Sequence, residues 1–286
     1  GSGSSCGGSG GGPSLTQQID NAVKRSDPAQ KSRELVPLAL KQQQGGDLNG
    51  AEKTMRMAAE AARNIPEATS KAARLNAVAG GFGQIDLPDE VKGVLKEVRE
   101  AIDAIHDEPA RVGPLAELGA NYGLYAKSQA SSEAAFREAE EIARGVELTR
   151  DRIRALNQVA FGWSRVKNTE NGERLIGDAT ELANGLEDAR EKAECLADVA
   201  RTLQRMQKPE QAEKLYAEAE AAAGQIERPE SQAYALLYLA DKRLLAGQRG
   251  EAQKLVEKAD ELTRNIKDGS IRGPLQEKVD ETRRRV

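Results

Sequence analysis

A chain of 286 residues can hold one large or two ordinary globular domains, or a single regular array of short elements. Aromatics make up 3% and charged residues 31%, with Ala, Leu, Glu, Lys and Arg dominant, a balance that suits helices packed through small residues and disfavours a β-rich fold. The net charge of −4 leaves no surplus of Lys and Arg for a phosphate backbone, which argues against nucleic acid as a partner, and no apolar run reaches the roughly 18 residues of a membrane-spanning helix.

Residues 1–13 are almost all Gly and Ser and read as a flexible linker or an expression tag. Cys6, followed by Gly7, Gly8, Ser9 and three more glycines, resembles the mature start of a bacterial lipoprotein, in which an acylated cysteine precedes a pliable tether. That reading implies a lipid anchor at Cys6 and a periplasmic or membrane-anchored protein. The other reading, a tag with a labelling thiol, leaves the protein cytoplasmic. Ser14 then caps a short helix over Leu15 to Lys24, closed before Asp27 and Pro28. The second cysteine, Cys195, sits in a helical apolar pattern and packs as a small hydrophobe, so no disulfide framework is expected.

From Lys31 onward the chain repeats. Cuts at Lys31, Lys71, Arg111, Asp151, Glu191 and Ser231 give units 31–70, 71–110, 111–150, 151–190, 191–230 and 231–270. In each second half the apolar positions Met55, Leu95, Ala135, Leu175, Leu215 and Leu255 align at the 40-residue period, as do Ala62, Ile102, Ile142, Leu182, Ala222 and Leu262. In each first half a helical stripe recurs, for instance Leu156, Val159, Ala160 and Trp163. It stands one residue earlier in the first three units, a shift that a short loop absorbs. Gly45 and Gly46, Asp86 and Pro88, Ser131 and Ser132, Pro209, and Gly247 and Gly250 mark turns, so each unit is helix, turn, helix. Residues 271–286 form a last helix, a seventh first-helix that caps the array, with Arg283 to Arg285 suited to a helix C-terminus.

The later units resemble tetratricopeptide repeats. Unit six supplies Leu236, Leu239, Ala240, Arg243, Gly247, Ala252, Val256 and Ala259 at the family's positions, and unit five supplies Leu196, Val199, Ala200, Leu203, Gln207, Ala212, Tyr216 and Ala219. Unit four follows through Leu156, Val159, Ala160, Trp163, Gly172, Ile176 and Ala179, and unit three through Leu118, Gly119, Tyr122, Phe136 and Ala139. Family units repeat about every 34 residues, so these are longer, and the proline that usually follows the second helix is missing. The resemblance implies an all-α fold, a right-handed α-α superhelix or TPR-like solenoid of six hairpins plus terminal helices over residues 14–286. It also implies a concave groove, lined by first helices, that binds an extended peptide or a partner helix. The expected function is a protein-protein interaction scaffold with no enzymatic activity and no cofactor. The alternative is a structural or self-assembling spacer, tethered through Cys6 if that residue is acylated.

Residues off the buried stripe of the first helices line such a groove. From unit four onward these include Asn157, Phe161, Arg165, Arg201, Arg205, Tyr234, Tyr238 and Asp241. The three arginines resemble the carboxylate-gripping side chains of peptide-binding family members, since guanidinium bonds a carboxylate through two parallel hydrogens. Glu194, Asp198 and Asp241 lie close enough in sequence to neutralise them, and Tyr234 and Tyr238 either anchor a partner or pack under the C-terminal helix. Catalytic signals are weak. The single histidine, His106, cannot build a multi-histidine metal site, so no metal is expected. Gly81, Phe82 and Gly83 lack the preceding strand and third glycine of a phosphate loop, and with Gly80 they either weaken their helix or permit close approach.

Overall fold

The computed structural model describes residues 12–286, so Cys6 and the readings attached to it lie outside the described residues. The chain divides into two compact units, one ending at Ser132 and one spanning Glu133–Val286. The first holds α1 (Leu15–Val23), α2 (Pro28–Gln44), α3 (Leu48–Arg63), α4 (Ala68–Gln84), α5 (Pro88–Asp103) and a 3₁₀ turn, Glu108–Arg111, that runs into α6 (Val112–Leu124). Helix α7 (Gln129–Gly145) starts at the end of this unit. The second unit continues with α8 (Thr149–Arg165), α9 (Thr169–Asn184), α10 (Ala189–Arg205), α11 (Pro209–Gly224), α12 (Pro229–Leu245), α13 (Arg249–Arg264) and α14 (Gly269–Arg285). Among the described residues there is no strand.

Within each unit the helices form hairpins, α2 with α3 and α4 with α5 in the first, α8 with α9, α10 with α11 and α12 with α13 in the second. Each first helix also lies against the next first helix, giving the layers α2, α4, α6 and α8, α10, α12, α14. This is an all-α helical repeat solenoid built from hairpins, and α14 packs on α12 and α13 in the seventh first-helix position that the sequence implies.

The helix ends are written locally. Ser14 accepts from the Gln17 backbone while Gln17 Oε1 accepts from the Ser14 backbone at 2.8 Å, a reciprocal cap on α1. First helices are capped by Asp27, Glu67, Asp188 and Asp268, a column at the repeat spacing in which a carboxylate takes the free backbone N–H groups. Pro28, Pro88, Pro209 and Pro229 open their helices where the missing N–H costs nothing. Inside each hairpin the turn needs one left-handed residue. That position is Gly46, Asp86, Lys127, Lys167, Gln207 and Gly247, with φ between 53 and 85 degrees. Only the first and last of these turns use glycine.

This column also locates the departure from strict periodicity. Its steps are 40 residues except from Asp86 to Lys127, which is 41. One extra residue therefore lies in the turn at residues 125–128, four residues long where its counterparts have three. The turn register, with burial, corrects two sequence columns accordingly. Counted from the left-handed turn residue, Met55 and Leu95 share their position with Phe136, Ile176, Tyr216 and Val256, not with Ala135 and Leu175, although all of these are buried. Ala62 and Ile102 continue through Ala143, Ala183, Ala223 and Thr263, whereas Ile142, Leu182 and Leu262 are only half-buried. The missing proline after each second helix has a substitute. Ile65, Ile105 and Val146 turn inward there, and Arg111 and Arg152 each donate through Nε to the carbonyl of Ile105 or Val146 at 2.8 Å.

The glycines of α4 serve close approach. A Cβ on Gly81 would fall 2.4 Å from Met55 Cε, and one on Gly83 2.2 Å from the Tyr125 ring. On the outer layer, second helices are joined by ion pairs 34 residues apart: Arg56 with Glu90 at 2.8 Å, Arg63 with Glu97 at 2.7 Å, Arg144 with Asp178 at 2.6 Å, and Arg174 with Glu140 at 2.8 Å. Such exposed pairs contribute about 0–1 kcal/mol each.

Candidate functional site

The eight candidate residues all fall on first helices of the second unit, Asn157, Phe161 and Arg165 on α8, Arg201 and Arg205 on α10, and Tyr234, Tyr238 and Asp241 on α12. Consecutive first helices run side by side, so the repeat sets residue i near i+40, and contacts reach about one turn further, to i+44. Arg150 lies 2.5 Å from Glu194, and Arg154 Nε donates to Asp198 Oδ2 at 3.4 Å. The Arg205 guanidinium stands 3.7 Å from the Phe161 ring centroid, and Arg190 stands 5.7 Å from that of Tyr234. Lys242 Nζ is 2.7 Å from Asp198 Oδ1, and Arg285 donates to Asp241 at 2.8 Å. Every one of these six contacts spans 44 residues.

Asp198 is the hub. Its carboxylate is 9% exposed and accepts from Tyr238 Oη at 2.8 Å as well as from Arg154 and Lys242, so it ties α8, α10 and α12 together. Glu194 is at least as sheltered and accepts from Arg190 at 2.9 Å besides pairing with Arg150. Two buried carboxylates would cost several kcal/mol each if unpaired, and here each meets at least two donors. Burial, then the neighbouring Asp198, raises the Tyr238 phenol above its ordinary value. Burial works against the Lys242 ammonium, but Asp198 more than offsets it and its pKa is raised. Cys195, 1% exposed in the same layer, has its thiol pushed up to about 11 by burial and by Asp198.

These pairings revise the sequence reading. Glu194 and Asp198 are bound by Arg150, Arg154, Arg190 and Lys242, and Asp241 by Arg285, so none of the three is paired with Arg201. Tyr238 is held by Asp198, and Tyr234, 36% exposed, lies under Arg190. Arg165 is half-buried at the end of α8. Arg201 makes no hydrogen bond or ion pair among the described residues, and its charge acts on the Tyr216 phenol. Arg150, Arg154, Arg190 and Lys242 belong to the site and were not among the candidates. For Arg150, Arg154 and Lys242 the signal was present as opposite charges 44 residues apart, but that offset is unreadable until the register between neighbouring helices is known. Four cations thus face two sheltered carboxylates, and Arg201 adds a fifth: a polar, positively biased face with three aromatic rings, Phe161, Tyr234 and Tyr238.

No family model matches the chain, and no curated protein matches it. Among solved structures, Ton1535 from Thermococcus onnurineus NA1 is similar at 12% identity over 91% of this chain and 94% of that one, with a TM-score of 0.43. BtubC from P. vanneervenii is similar at 13% identity over 88% and 91%, with a TM-score of 0.39. A putative kinesin light chain of Podosopora anserina with nearly identical TPR-like repeats is similar at 17% identity over 71% and 100%, with a TM-score of 0.35. At such values these likenesses carry no argument. The chain's own hairpins, left-handed turns and small-residue columns make it an all-α helical repeat protein with hairpin units of about 40 residues.

Proposed function

We propose that the chain is a protein-interaction scaffold rather than a catalyst, and that the first-helix face of its second unit grips an acidic segment of a partner protein. The observation that carries this reading is the surplus of cations there, Arg150, Arg154, Arg190, Arg201, Lys242 and Arg285 against Asp151, Glu194, Asp198 and Asp241. A sheltered charge-assisted hydrogen bond contributes about 1.5–3 kcal/mol, enough for two or three of them to set affinity. The phenols and the Phe161 ring offer apolar area beside the charges. No described helix is long and apolar enough to cross a membrane.

The test is fluorescence anisotropy with labelled peptides of equal length, rich in Asp and Glu or neutral. The acidic set binds and weakens steeply with salt. The pair of changes Arg201→Glu and Lys242→Glu lowers affinity at least tenfold, while Arg137→Glu, on the exposed side of α7, does not. Equal affinity in both variants would remove this face from consideration.

A further inference from the structure

The ladder of 44-residue contacts uses one side of α8, through Arg150, Arg154 and Phe161. Arg152 and Leu156 lie on the other side, since two residues turn a helix by about 200 degrees. There they meet the ends of the second helices α7 and α9 around a cleft of about 560 Å³. Leu156, Leu182 and Leu186 form its apolar wall, and charges of both signs line the rest. Arg144 and Asp178 are paired with each other at 2.6 Å. Arg152 and Glu181 are not. Arg152 commits only its Nε, to the Val146 carbonyl at 2.8 Å, and neither side chain makes an ion pair among the described residues. A guanidinium with both Nη groups uncommitted and an exposed carboxylate thus share one cleft without closing on each other.

The first unit builds the same cleft from residues two repeats earlier, 81 positions with the inserted one, as from Lys71 to Arg152. Arg63 and Glu97, 2.7 Å apart, stand for Arg144 and Asp178, and Lys71 and Glu100 stand for Arg152 and Glu181. That cleft holds only about 260 Å³. Pro66 lines it, whereas the corresponding Glu147 is not part of the larger wall, and Ala104 stands where the second unit has Gly185. Ala101 in place of Leu182 leaves it with less aliphatic surface. Sites for small organic ligands run from about 300 to 1,000 Å³, so the cleft of the second unit falls inside that range and its counterpart falls below.

We infer that the cleft between Arg152 and Glu181 binds a small zwitterion with an aliphatic body, an amino acid or a dipeptide. Its carboxylate takes the Nη groups of Arg152, its ammonium faces Glu181, and its alkyl groups cover the three leucines. Two opposite charges that do not meet give a bridging ligand both partners at once, while a ligand with a single charge leaves one of them to water. The site is off the ladder side of α8 and stands independently of the partner surface proposed above.

The test is isothermal titration of the full chain with L-leucine and with L-leucyl-L-leucine. N-acetyl-leucine, which lacks the ammonium, and leucinamide, which lacks the carboxylate, are the comparisons. Saturable binding of either zwitterion at one site per chain, at least about tenfold tighter than both single-charge probes, supports the site, and the tighter zwitterion identifies the ligand's size. Glu181→Gln should abolish the advantage over N-acetyl-leucine, and Glu100→Gln, in the smaller cleft, should leave it in place. Because the Glu181 side chain is exposed and bonds nothing among the described residues, that variant keeps its fold, checked by an unchanged thermal melt. No saturable binding, a single-charge probe that binds as tightly as the zwitterions, or an advantage that survives Glu181→Gln overturns the inference. So does an advantage lost equally in Glu100→Gln.

Discussion

The two units lay first helices side by side with the same spacing and join them with different chemistry. In the first, α4 meets α6 through neutral amides, Asn76 with Asn121, and through glycines that let the Tyr125 ring lie on the backbone of α4. In the second, α8, α10 and α12 are joined through guanidinium, ammonium, carboxylate and phenol groups centred on Asp198. The fold therefore asks only for the small and aliphatic columns, and what fills the exposed side of the first-helix layer is free to vary. A satisfied amide pair is self-contained, whereas a cluster with more cations than carboxylates has charge to spare, which is what the proposed function uses.

Substitutions at matched positions sharpen that contrast. The largest effect is expected in one core column, where Phe82 of the first unit and Arg243 of the second occupy equivalent sites, each 2% exposed or less. Phe82→Ala should cost about 3–5 kcal/mol in urea unfolding. Arg243, paired with Glu213 at 2.5 Å and stacked 4.1 Å from the Tyr216 centroid, should tolerate Arg243→Leu to within about 1 kcal/mol, because Glu213 is 52% exposed and is hydrated once freed, while the leucine keeps the buried volume apolar. Equal losses would show that the second unit depends on its buried charge.

Next come the ladder contacts themselves. Asn121→Ala should cost about 1–3 kcal/mol by leaving the buried Asn76 carbonyls without a donor, and about the same at low salt and at roughly 1 M. Asp198→Ala should show a cost that shrinks in high salt, read from hydrogen exchange of α10 and α12. Smaller again is the turn column: Lys167→Gly, at φ 61 degrees, should gain up to about 1 kcal/mol, while Gly247→Ala, at φ 77 degrees, should lose about as much.

Acid gives the smallest effect. Bonds from Ser70 and Thr69 hold the Glu67 carboxyl at about 2, below its ordinary 4.5. A depressed folded-state value means that its stabilisation is complete above about 4.5 and is lost as pH falls toward 2. Glu67→Gln should flatten that part of the acid unfolding curve of the first unit. Glu140 and Glu213, lowered chiefly by Arg174 and Arg243, should keep the second unit acid-sensitive in the same variant.

Much of this was legible in the residues. The helix-turn-helix repeat, the Ser14 cap, the buried stripe of the first helices and the burial of Cys195 follow from periodicity and capping chemistry, which are local. The second-helix columns slipped by one residue because neighbouring positions there are both buried, Ala135 beside Phe136 and Leu175 beside Ile176, and only the turn register separates them. The site was half readable. Which residues leave the stripe follows from helical spacing, so Phe161, Arg201 and Tyr238 could be named. Which charges meet depends on how far one helix slides along the next, so Asp198 was assigned to the wrong arginines and Arg150, Arg154 and Lys242 escaped notice.

The extra residue in the turn at residues 125–128 shows where such an array can gain length without losing its core. One residue added inside a helix would rotate every later side chain by about 100 degrees and carry the aliphatic columns out to solvent. Placed in a connection, it alters the count and leaves the angular phase of each following helix intact. One first-helix column makes this visible: Leu38, Val78 and Leu118 precede the insertion, Val159, Val199 and Leu239 follow it, and all six are buried.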